Sequence, residues 1–248
     1  MMSPLLRVMG RGAAAGAVAG LLSALVSFLF GEPSVHRAIA LEEAAAHAAG
    51  EHEHAEVFSR AAQQGALFLV SMLTGLAIGI LFGLVYGLVY RQDPQTDSWR
   101  RATGLAVAGL VGVAVIPFIR YPANPPAVGD PGTVDARTTS YLAAILVGIA
   151  AVVAAGQLSG WLEARGVRVS LRQLAILAVV VTGLAATWLL PNNPATVSVP
   201  ADLIWDFRLA ALAALAVLWL GLGATFGLLG ERAQRSIGSE TSSAPIRV

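Results

Sequence analysis

All four histidines of the chain fall in one polar stretch, GEPSVHRAIALEEAAAHAAGEHEHAEVFSRAAQQ from Gly31 to Gln64, together with six glutamates. Neutral imidazole and carboxylate are the ligands that borderline divalent ions such as Co2+, Ni2+ and Zn2+ accept. The alanine and glutamate content of Ser34 to Phe58 favours a helix, and at 100° per residue His36, Glu43, His47, Glu51 and His54 then share one stripe. Glu43 with His47 and His47 with Glu51 stand at i,i+4, and Glu51 with His54 at i,i+3, so neighbouring side chains can share an ion. His52 points elsewhere unless Gly50 breaks the segment and swings His52 and His54 round towards His47. The competing reading is a solvated acidic loop whose histidines coincide by chance, and these residues weigh the two evenly.

The rest of the chain is written for lipid. Of its 248 residues 56% are hydrophobic and only 12% charged, with a mean hydropathy of +0.70, against about 25% charged in soluble domains. The expected fold is an all-α integral membrane protein, a bundle of six transmembrane helices with a partly helical His/Glu-rich loop between helices 1 and 2. Apolar runs at about 12–30, 66–90, 103–119, 141–162, 174–190 and 209–229 are each long enough to cross a bilayer. Residues 1–230 thus form a single membrane domain, and the polar residues 231–248 read as a disordered tail. Pro117 and the prolines that follow it end the third run.

Sixteen basic residues, all arginine, orient the chain. Eleven fall on the side of the termini, and only Arg37, Arg60, Arg120, Arg137 and Arg208 fall on the other. By the positive-inside rule both termini are cytoplasmic and every histidine faces outward. A net charge of +1 excludes a concentrated basic face for nucleic acid. With no cysteine there is no thiolate metal site and no disulfide. No P-loop, His-Glu-x-x-His or Gly-x-Ser-x-Gly string occurs, so the chain does not read as an enzyme and no covalent cofactor is expected.

Two further patterns concern packing. Gly12, Gly16 and Gly20 recur every fourth residue in the first run, and Gly75, Gly79, Gly83 and Gly87 do so in the second. Such stripes allow close helix approach, and that reading is preferred over a smooth sliding groove. Arg120 and Tyr121, with the trio Asp202, Asp206 and Arg208, lie at outer helix ends, where ion pairs fastening the loops are preferred over a gate.

Three strings, GEPSVHRAIALEEA, RYPANPPAVGDP followed by RTTSYL, and VPADLIWDFRLAALAALAVLWLGLG, make the chain resemble the CbtA family of probable cobalt transporter subunits from Arg7 to about Leu229. The resemblance implies a multi-pass protein of the bacterial inner membrane, linked to cobalamin through cobalt supply. It also implies a partner like CbtB, a small single-span subunit with a histidine-rich end, alongside lipid and a homo-oligomer. Carried over by position, Glu32, Pro33, Glu42, Glu43, Arg120 to Pro126 (with Tyr121 and Asn124), Trp205, Asp206 and Arg208 would assemble an outer vestibule. The function expected is capture of Co2+, or Ni2+, on the outer loop and passage across the membrane. The alternative is a membrane scaffold that binds metal loosely or not at all.

Overall fold

The computed structural model describes residues 3–48, 50, 59–90, 97–126, 128–192 and 199–242. Every regular element among them is helical. These are α1 (Pro4–Val26), α2 (Glu32–Ala48), α3 (Arg60–Val89), α4 (Ser98–Gly109), α5 (Ile116–Arg120), α6 (Val134–Ala164), α7 (Val169–Ala186) and α8 (Ala201–Ser242). Wider π-helical turns at Ser27–Gly31 and Leu110–Val115 join α1 to α2 and α4 to α5. Six helical runs are long and apolar enough to cross a membrane: Pro4–Ala48, Arg60–Val89, Ser98–Arg120, Val134–Ala164, Val169–Leu189 and Ala201–Arg235.

All six runs extend at least five residues beyond the apolar stretches at one end or both, because polar residues at a helix end cost little once the apolar middle has formed. At the start of α1, Ser3 accepts a hydrogen bond from Leu6 N–H, and Pro4 takes a first-turn position that needs no donor. Two expectations are corrected. Pro117 does not end the third run but sits inside it, just after the π turn. In that turn the Ile116 N–H reaches back five residues to Val111 O. The chain from 231 to Ser242 also continues α8 rather than leaving the helix; residues 243–248 lie outside the described residues.

The chain forms two compact units, one from residues 1–28, 58–107 and 214–248, the other from 29–57 and 108–213. In the first, α1 lies on α3 along the two glycine stripes. A Cβ on Gly16 would stand 2.8 Å from the Gly79 Cα and overlap the Gly75 carbonyl. A Cβ on Gly83 would stand 2.7 Å from Val8 O, and one on Gly87 2.8 Å from a Leu5 methyl. The stripes are therefore consumed by helix packing. Lipid tails are as apolar as leucine, so helices in a bilayer gain little from hydrophobicity and much from backbone approach.

The late part of α8 completes this unit. Phe226, fully buried, meets Phe82 edge-on with ring centroids 5.1 Å apart and Tyr86 at 4.8 Å. Ser23 Oγ donates to Ala214 O at 2.9 Å, tying α1 to α8 by one of the few polar contacts between the helices. Arg11, which the apolar run alone would leave outside the membrane segment, lies two turns inside α1. Its guanidinium stacks 3.8 Å from the Phe226 ring centroid and 5.4 Å from that of Tyr86.

In the second unit, the π turn before α5 meets α6 where two glycines face each other. A Cβ on Gly112 would stand 2.9 Å from Gly148 O, and one on Gly148 would overlap Gly112 O. Gly183 of α7 meets the Ala151 side chain of α6. No residue of α7 is buried.

Candidate functional site

The histidine segment begins as a continuation of the first run. Beyond Gly31 the helix docks by one face: Ser34 and Ala38 are buried, and Gly31 approaches the Ala210 side chain. Ala38 belongs to a small core with Val128, Val199, Leu203 and Ile204. At the edge of this core Arg37 Nη1 donates to Asp202 Oδ2 at 2.8 Å. The docked positions recur at three- and four-residue spacing, which fixes the opposite face of α2 towards solvent.

That opposite face carries the expected ligands. His36 stands 160–200° around the helix from Ser34 and Ala38 at 100° per residue, and His36, Glu43 and His47 are all exposed. His36 and Glu43 are seven residues apart, about 10 Å along the axis, too far to hold one ion. Glu43 and His47, four apart, are neighbours. The helix ends at Ala48, and Gly50 follows with φ +72°, its N–H bonded to His47 O at 3.1 Å. That left-handed turn is the break the glycine suggested, since residues with a Cβ resist such a φ. Glu51, His52 and His54 lie outside the described residues. Among the described residues no group of three His, Asp or Glu side chains gathers where a metal could be held.

The rim residues have definite partners, and these are not the expected ones. Arg120 ends α5 and spreads its guanidinium over the end of the fifth run. Its Nε donates to Thr187 O at 3.0 Å, Nη1 to Asn192 Oδ1 at 2.9 Å, and Nη2 to Leu190 O at 3.0 Å and Pro191 O at 3.3 Å. Tyr121 OH adds a bond to Pro191 O at 2.6 Å. The last carbonyls of a helix have no internal donors and carry the negative end of its dipole. A planar cation with five donors satisfies several of them together.

Arg208, on the second turn of α8, does the same for the proline-rich stretch, donating from Nε to Ala123 O at 3.2 Å and from Nη2 to Asn124 Oδ1 at 2.9 Å. Of the trio Asp202, Asp206 and Arg208, expected to form ion pairs that fasten the loops, one member does so among the described residues. Asp202 pairs with Arg37, Arg208 binds backbone and amide oxygens, and Asp206 is exposed with no ion pair among the described residues. Charge alone suggested carboxylate partners, but carbonyl oxygens of turns and helix ends outnumber carboxylates there. Glu32 opens α2 directly after the π turn, inside the continuous run from Pro4 to Ala48. Arg120, Tyr121, Asn124 and Arg208 thus work as fasteners, and the distinctive RYPANPP string is a strap held at both ends.

Sequence reasoning did not find Arg37 as the tie of α2 or Arg11 as a half-buried cation. No signal for the first exists in the sequence, because Arg37 and Asp202 stand 165 residues apart and nothing pairs them. Searches of curated proteins and of solved structures return no match to this chain. The family described as probable cobalt transporter subunit (CbtA) matches residues 5–231. With six runs able to cross a membrane and that match over nearly its whole length, the chain belongs to the CbtA family of probable cobalt transporter subunits.

Proposed function

We propose that this subunit gathers a divalent cation, cobalt first and nickel second, on the polar arm that extends the first membrane run, and passes it inward with a partner. The observation that carries this reading is the geometry of α2. One face is docked by Ser34, Ala38 and the Arg37–Asp202 pair, and the other holds His36, Glu43 and His47 open to solution. The arginine distribution puts this arm outside the cytoplasmic membrane and both termini inside. Glu43 and His47 start the site, and Glu51, His52 and His54 follow within seven residues.

Two adjacent ligands bind weakly, so completion by a second chain is part of the proposal. A small single-span subunit with a histidine-rich end, or a second copy of this chain, supplies the remaining ligands. The test is uptake of isotopic cobalt by cells expressing the chain with and without such a partner. Replacement of His36, His47, His52 and His54 together by alanine abolishes the increment if the arm captures the ion; unchanged uptake refutes capture. Among single variants, His47→Ala lowers cobalt affinity more than His36→Ala, because His47 stands one turn from Glu43 and close in sequence to Glu51, His52 and His54, whereas His36 has Glu32 alone one turn away.

A scaffold role is favoured by a separate observation: the rim side chains a gate would use, Arg120, Tyr121 and Arg208, are spent on carbonyls and amides. Direct titration of the purified chain with cobalt, nickel and zinc separates the readings. A scaffold shows no saturable heat.

A further inference from the structure

The Arg11 guanidinium, held against the Tyr86 and Phe226 rings, is an incompletely compensated charge in the first unit. Its Nε is buried without a hydrogen-bond partner, and no carboxylate among the described residues pairs with it. Among the described residues, the two acids nearest that end of the unit, Asp97 and Glu231, are engaged elsewhere. Asp97 caps α4, accepting from Trp99 N–H at 2.9 Å, and Glu231 faces Arg235 at 3.5 Å. Aromatic faces lower the energy of a buried cation but do not neutralise it, and a charge within a membrane segment ordinarily has a counter-charge.

The surroundings show what sign and size of partner would fit. Arg7, exposed, stands one turn earlier on the same face of α1, so the two guanidiniums form a short ladder from solution into the helix packing. Ser98 Oγ and Tyr86 OH, 3.4 Å apart, share a single hydrogen bond, which leaves one hydroxyl proton uncommitted among the described residues. Arg11 Nη1 and Ser98 Oγ both lie within 3 Å of the point where a Cβ on Gly230 would stand. Only a residue without a side chain lets these donors converge there.

We propose that Arg11, with Arg7 and the Ser98/Tyr86 hydroxyls, binds a phosphate group, and that this is an anionic binding site separate from the metal arm. Two planar forks and a hydroxyl match the several acceptor oxygens of phosphate. The group comes either from the headgroup of an anionic phospholipid, whose chains would lie along the exposed leucines of α1, or from free phosphate.

The purified full chain is probed with vesicles of phosphatidylglycerol, vesicles of phosphatidylcholine, and inorganic phosphate alone. Retention of phosphatidylglycerol over phosphatidylcholine is expected, with a loss of about tenfold in Arg11→Gln, the equivalent of one strong contact. Arg168→Gln, which removes an exposed charge in the other unit, is expected to leave retention unchanged. Competition by inorganic phosphate assigns the site to free phosphate, and its failure assigns it to lipid. Equal retention of the two lipids without phosphate binding, or wild-type retention in Arg11→Gln, overturns the proposal. Should Arg11→Gln not fold, a photoreactive phosphatidylglycerol cross-linked to the wild-type chain decides the matter. Attachment to the peptide holding residues 7–11 or 98–101 supports the site, and attachment elsewhere refutes it.

Discussion

Alanine at Gly79 should separate α1 from α3, and the cost follows from the packing. The added Cβ would overlap the Gly12 carbonyl and stand 2.8 Å from the Gly16 Cα. Both partners are backbone and cannot rotate away. Ordinary carbon contacts are about 3.5–4.0 Å, so the helices must part by up to about 1 Å. Parting them weakens the neighbouring contacts at Gly12, Gly16 and Gly75 as well. Overpacking of this kind costs about 1–3 kcal/mol. Gly104→Ala supplies the control, because that glycine is also helical but has nothing within 4 Å of its added methyl. Thermal unfolding of the detergent-solubilised protein, followed by loss of the monodisperse peak in size-exclusion chromatography, should show Gly79→Ala clearly destabilised and Gly104→Ala unchanged or slightly stabilised. The double variant Gly16→Ala/Gly79→Ala should cost less than the sum of the singles, because the first methyl already moves the helices apart. Equal melting of Gly79→Ala and Gly104→Ala would refute the claim that the glycine stripes are a backbone contact.

Three further outcomes rest on single sites. Arg120→Leu removes four donor contacts from the end of the fifth run and should cost at least about 1.5–3 kcal/mol, seen as a lower melting temperature and faster proteolysis near Leu190. Breaking the Arg37–Asp202 pair by Asp202→Asn should lower the melting temperature only slightly, since both side chains are more than half exposed, at 52% and 59%, and the effect should vanish in high salt. Gly129→Ala should lower the melting temperature by more than either loop neighbour does, because Gly129 has φ +112° and lies against the Arg137 guanidinium; such strain costs about 1–3 kcal/mol.

Membrane class, the number of spans and the placement of the glycine stripes were legible in the residues, because length, hydropathy and four-residue spacing are local quantities. The ends of the helices were not, since the apolar content that drives insertion says little about how far a helix continues into water. Thus α2 extends the first run through Ala48, and α8 continues past 230. Pro117 was misread for a related reason: its effect depends on the hydrogen-bond register of the preceding turn, which a π turn changes.

On the candidate site the division is similar. His36, Glu43 and His47 were placed on one helical face by spacing alone, and the fold keeps them there. Which face of α2 would be covered depended on Val128, Val199, Leu203 and Ile204, more than eighty residues away in the chain. The partners of Arg120 and Arg208 were also decided at long range, at separations of 67 to 85 residues. Sequence periodicity determines what one helix presents. Only tertiary contact decides which oxygen an arginine finds, because the donors are local while the free carbonyls belong to the ends of other helices.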